Sequence, residues 1–172
     1  SSLSALHTLY KTEEHLGVMD NFTKRFLPRI KEMVDDRSSA VAVEAVHVLS
    51  TLLHAETLEP EELGMLSELL LDESYDLRHT VAELMPSLLT LRTTDLEGTD
   101  LSESELKVRG LLRLASHLAQ QSTENVGYIV DALWGVLPEL TDWEALTSMM
   151  LEDGASALPP SELQCLALVL GA

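Results

Sequence analysis

The residues nearest to a chemical constellation in this chain are Glu44-Ala45-Val46-His47. On a helix, a Glu and a His three positions apart share a face, and such a pair supplies half of a di-iron carboxylate site. No second pair of that kind occurs. His54 follows His47 by two helical turns, but no third ligand is spaced to complete the three or four that zinc takes. The histidines (7, 15, 47, 54, 79 and 117) are otherwise scattered, so a plain surface Glu and His is expected, with no metal and no cofactor. Serines are plentiful, yet no Gly-x-Ser-x-Gly elbow is present. There is no Walker A loop and no Gly-x-Gly-x-x-Gly; Gly110 and Gly127 stand singly in helical pattern. The lone Cys165 excludes an internal disulfide and a cysteine-rich zinc site, and its leucine neighbours predict a buried, inert thiol. The chain does not read as an enzyme, and no small-molecule substrate is implied.

Binding chemistry is concentrated elsewhere. Eleven bases face 29 acids, for a net charge of −18. Lys24, Arg25, Arg29, Lys31 and Arg37 fall in one window with three acids, so residues 24–37 carry +2 and the rest −20. Arg25 and Arg29 are four apart and share a helix face; Phe22, three before Arg25, joins them. An aromatic beside guanidinium groups in an acidic field suits a short motif with aromatic or acidic side chains. Phe22, Arg25 and Arg29 are therefore the candidate partner-binding residues. The acidic balance argues against a free-standing duplex DNA binder, which needs clustered bases. An apolar content of 45% is too high for a disordered acidic tail. The longest apolar run, about eight residues at the C-terminus, is far below the ~20 that cross a bilayer, and no membrane partner is expected.

The elements that must position these residues are helices. Aromatics are only 4%, and apolar residues recur at three-and-four spacing rather than alternating. Val41, Ala45, Val48, Leu49 and Leu52 share one face; Val126, Ile129, Val130, Leu133 and Leu137 share another. The pattern predicts helices near 16–34, 38–55, 60–71, 74–90, 102–120, 124–138, 142–152 and 160–170, after a leading turn at 2–10. Ser102 with Glu105, and Thr141 with Glu144, have capping-box spacing, and Pro60 suits a first helical turn. The methionines and the tryptophans Trp134 and Trp143 are expected in the core.

Helix pairs start near 16, 60, 102 and 142, steps of about 44, 42 and 40 residues that match HEAT or armadillo arrays. Asp36 lies five residues before Val41, and Asp72 five before Leu77; Ala45, Leu49 and Leu53 then correspond to Val81, Met85 and Leu89. The expected fold is all-α, a HEAT/armadillo-like solenoid of about four antiparallel hairpins. Residues 1–172 read as one segment of a longer array, with 1–92 and 101–172 on either side of the polar stretch 93–100, and terminal apolar faces suggest that the chain is cut from a longer protein.

Several stretches carry a family resemblance. Ala5-Leu6, Leu9-Tyr10, Phe22-Thr23-Lys24-Arg25-Phe26, Arg29-Ile30, Met33 and Val41-Ala42-Val43-Glu44-Ala45-Val46 follow in order and spacing. Together they resemble the stromalin conservative domain of the cohesin SA (stromal antigen, STAG) subunits. Tyr128-Ile129-Val130-Asp131-Ala132-Leu133-Trp134 followed by Asp142-Trp143-Glu144 resembles a second block of that family. The resemblance implies a nuclear, chromosome-associated HEAT-repeat scaffold that binds the kleisin subunit of cohesin in sister chromatid cohesion. It also implies a pocket for shugoshin- or insulator-type motif peptides, lined in part by Phe22 and Arg25, and DNA contact through the intact protein. Leu27-Pro28 replaces a charged pair of the family pattern, which predicts a kink around 24–28, and Asn21 stands where the family is apolar. The alternative is a HEAT adaptor of another pathway, such as transport or phosphatase assembly.

Overall fold

The computed structural model describes residues 2–55, 60–91, 101–120, 122–151 and 157–171; the polar stretch 93–100 lies outside the described residues. Among those described, every regular element is helical and no strand occurs. In chain order the elements are α1 (Ser2–Tyr10), α2 (Glu13–Val18), α3 (Asp20–Glu32), α4 (Ser39–His54), α5 (Pro60–Glu68), α6 (Tyr75–Ala82), α7 (Met85–Leu91), α8 (Glu103–Leu118), α9 (Glu124–Leu133), α10 (Trp143–Met150) and α11 (Pro160–Gly171). Short 3-10 turns occupy Met33–Asp35, Leu69–Leu71 and Pro138–Thr141. The chain divides into two compact units, Ser1–Val81 and Ala82–Ala172.

Four expected helices are shorter or divided, the one over 60–71 giving way to a 3-10 turn after Glu68, and prolines account for two of the changes. The helix expected over 74–90 is split into α6 and α7. Pro86 has no N–H to offer the Ala82 carbonyl, and its ring would collide with that carbonyl in a continuous helix. The helix expected over 124–138 stops at Leu133. Pro138 forces Leu137 into an extended conformation (φ −111°, ψ 91°) and opens a 3-10 turn. The expected 16–34 helix is divided at Met19 between α2 and α3, just beyond Gly17, a poor helix former. Pro28, where the sequence predicts a kink, lies inside α3, which runs on to Glu32.

In the first unit, α4 is the central element, with α1 and α3 packed against it. Ala42, Ala45, Val46, Val48, Leu49 and Leu52 supply its buried face, as the spacing requires. The turn before it is built twice. At Asp36 and again at Asp72 the chain leaves a 3-10 turn in extended conformation. Each aspartate then accepts the N–H two residues on, Ser38 to Asp36 Oδ1 at 2.9 Å and Ser74 to Asp72 Oδ1 at 2.7 Å. The Ser39 and Ser74 hydroxyls meet at 2.7 Å. The expected correspondences hold in burial: Ala45, Leu49 and Leu53 are buried, and so are Val81, Met85 and Leu89.

In the second unit α8 is central and packs against α7, α9 and α11. Its start carries the expected capping box: Ser102 Oγ accepts the Glu105 N–H, and the Ser102 N–H donates to Glu105 Oε2 at 2.7 Å. Lys107 reaches Glu103 at 2.8 Å and Glu139 at 3.5 Å, and Arg113 approaches Glu162 at 3.6 Å, tying α8 to its neighbours. Cys165 is buried, and burial, reinforced by Glu162, pushes its thiol pKa up.

The second expected capping box does not form. Asp142 caps α10 instead, its Oδ1 accepting the Ala145 N–H at 3.0 Å. Thr141 is taken into the turn begun by Pro138, and its hydroxyl donates to the Pro138 carbonyl at 2.7 Å. The tryptophans are not core residues: Trp134 is 50% and Trp143 49% exposed. One follows the end of α9 and the other opens α10, positions where a helix has not yet turned a full face to the interior. Of the methionines, Met85 and Met149 are buried, whereas Met150 is exposed.

Candidate partner-binding groove

The groove begins with the way α1 is fixed to α3. Tyr10 and Thr23, both buried, meet hydroxyl to hydroxyl at 2.6 Å. Thr23 Oγ1 has one proton and donates it to the Met19 carbonyl at 3.0 Å, so the Tyr10 phenol donates to Thr23. Burial raises the Tyr10 pKa, and the phenol stays protonated. Tyr10→Phe removes this donor and is expected to cost about 1 kcal/mol in a urea melt. An unchanged midpoint would show that the hydroxyl pair is not holding α1.

With α1 held there, its outer flank and α3 form the two walls of an apolar groove of about 450 Å³. Leu6 and Leu9 come from α1; Phe22, Phe26, Arg29 and Ile30 come from α3; Met33 closes one end. Phe22 and Phe26 are one helical turn apart, and their rings meet at 4.4 Å between centroids. They are 40% and 39% exposed, although burying a phenylalanine is worth about 1.5–3 kcal/mol. Exposed aromatics rimmed by charge are the mark of an interaction surface.

The structure brings Phe22 and Arg29 to this groove and sets Arg25 beside it. The Arg25 guanidinium lies 5.6 Å over the ring of Phe26, not paired with Phe22 as the three-residue spacing suggests. Phe22 leans one turn along onto Phe26, and the long Arg25 stem folds over the ring next to it in sequence. Arg29 pairs with Glu32 at 2.6 Å and Lys24 with Asp20 at 2.8 Å, both exposed pairs worth under about 1 kcal/mol and easily exchanged. Phe26 and the α1 leucines are not singled out by sequence reasoning. The Phe22–Phe26 spacing of four is a usable signal for the first; the leucines are brought in by tertiary packing.

The structure adds a third residue to the Glu44–His47 pair. His7 of α1 stands beside Glu44 and His47 of α4, with one ligand atom from each of the three within 4.8 Å of the others. Burial lowers the His7 pKa, helped by Lys11 and His47 and opposed by Glu44. His7, which sequence spacing does not connect to that pair, comes from a helix far away in the chain. The side chain of His54 lies outside those described.

No family model matches the chain. Curated relatives do. Sister-chromatid cohesion protein 3 of Arabidopsis thaliana is 31% identical over 159 residues, covering 88% of this chain and 14% of that protein. Cohesin subunit SA-1 of Xenopus laevis is 29% identical over 163 residues, 88% of this chain and 13% of that protein. Cohesin subunit SA-3 of Rattus norvegicus is 29% identical over 164 residues, 87% of this chain and 13% of that protein. This chain is a homologue of the cohesin SA subunits. It spans about one seventh of the length of the curated relatives it matches. The SA resemblance read from the Ala5–Val46 and Tyr128–Glu144 stretches is thus borne out. In this SA homologue Phe22–Arg29, within the first of those stretches, lies in α3, which builds one wall of the groove.

Proposed function

We propose that this chain is a non-catalytic scaffold segment of a cohesin SA-type subunit, acting in sister chromatid cohesion on chromosomes in the nucleus. Its helices stack as HEAT-like hairpins, part of a longer array whose ridge docks an extended kleisin chain. The groove between α1 and α3 holds short regulator motifs, of the shugoshin or insulator type, through an aromatic side chain set against Phe22 and Phe26. The observation that carries the reading is that groove: two half-exposed phenylalanines with guanidinium groups at hand, in a stretch of net positive charge within a strongly acidic chain.

The physical roles follow. The rings provide desolvated apolar surface and an edge or face for the incoming aromatic. Arg29 and Arg25 can leave weak, solvated partners for an acidic group on the motif, gaining a charge-assisted bond without uncovering a buried charge. Arg25→Glu is expected to weaken a short acidic, aromatic peptide about tenfold at low salt, less at high salt, with the melting midpoint unchanged. Calorimetric titration reads this; equal affinity for both proteins would remove Arg25 from the site. The scaffold role is tested by retention of a purified kleisin fragment on the immobilised chain. Retention supports the SA-type reading, and its absence at micromolar concentrations favours an adaptor in another pathway.

A further inference from the structure

We propose that His7, Glu44 and His47 form a zinc-binding site that clamps α1 to α4. The three are brought together by the packing of α1 on α4, with one ligand atom from each within 4.8 Å of the other two. The two imidazole rings lie nearly parallel, 16° apart, at 5.4 Å between centroids. Zinc bonds of about 2.1 Å place tetrahedral ligands roughly 3.4 Å apart. The imidazole rings would have to turn from their stacked arrangement to aim their lone pairs at one ion.

A second observation concerns the Glu44 carboxylate. Glu44 Oε2 is buried and has no hydrogen-bond partner, a costly state for a carboxylate oxygen. A cation held between it and the imidazoles would satisfy that oxygen. Two nitrogen ligands and one oxygen suit a borderline ion such as zinc and disfavour magnesium and calcium, which prefer oxygen alone. Three protein ligands leave a fourth position for water. Lys11, the nearby cation just past the end of α1, opposes the ion and sets a limit on its affinity. The opposite flank of α1 forms one wall of the groove, so a clamp at His7 would also hold that wall in place. The site stands whether or not the groove binds a motif.

The test uses the tag-free chain, zinc chloride and a chromophoric zinc chelator in competition, with cobalt(II) as a visible-light probe of coordination. One equivalent of zinc is expected, together with the intense visible bands of four-coordinate cobalt and a rise in melting midpoint. Glu44→Gln and His47→Gln should each weaken binding at least about tenfold, because even residues that only orient a metal's ligands cost that much when lost. His117→Gln, on α8, should bind as the parent does. Circular dichroism of the metal-free variants checks folding, and His7→Gln serves if an α4 substitution fails to fold. No zinc binding, or binding that survives replacement of all three residues, would overturn the proposal.

Discussion

Replacing Phe22 with alanine is expected to weaken binding of a short acidic, aromatic peptide by about 30-fold. That corresponds to about 2 kcal/mol, the usual threshold for a residue that dominates an interface. Phe22 faces the groove and packs on Phe26, so truncation removes ring surface from the wall and unsupports the second ring. The folded chain should lose little, because Phe22 is already 40% exposed. Fluorescence anisotropy with a labelled peptide, run beside a urea melt, separates the two effects. A change in affinity under about threefold with unchanged stability would mean that the peptide seats elsewhere.

The largest expected effect on stability is at Gly110. This residue lies within α8 where α7 passes so closely that an added Cβ would stand 2.5 Å from the Leu89 carbonyl oxygen and 3.1 Å from its carbon. Those are backbone atoms and cannot rotate away. Glycine in a helix interior costs about 1 kcal/mol relative to alanine, and here it permits the helices to touch. Gly110→Ala regains that propensity but forces α7 and α8 apart, for a net loss of about 2 kcal/mol or more. At Gly127, in α9, an added Cβ would meet nothing within 4 Å. Gly127→Ala should therefore stabilise by about 0.5–1 kcal/mol. Opposite signs in parallel chemical melts are the expected outcome; two stabilising substitutions would show that the α7–α8 approach is not tight.

What can be read from sequence is local. The three-and-four spacing places α4 and α8 well because their faces are set by neighbours within two turns. Ser102–Glu105 is legible for the same reason. Thr141–Glu144 has identical spacing, yet Pro138, three residues earlier, draws Thr141 into a 3-10 turn and hands the cap to Asp142. Pro86 likewise divides a helix whose apolar pattern runs on without interruption. In the site, Phe22 and Arg29 can be found from helix spacing, but the opposite wall, Leu6 and Leu9, depends on how α1 lies against α3. Both helices pack on α4, and the Tyr10–Thr23 hydroxyl pair that ties them together, thirteen residues apart, leaves no periodic trace. The meeting of His7 with His47 is hidden in the same way.

The central claim, that the α1–α3 groove receives an aromatic motif, is tested most directly by amide hydrogen exchange with and without saturating peptide. New protection confined to Ser2–Tyr10 and to residues 20–33 is the expected result, and it should vanish in Phe22→Ala. Protection elsewhere in the chain, with those two segments exchanging as fast as in the free protein, would contradict it.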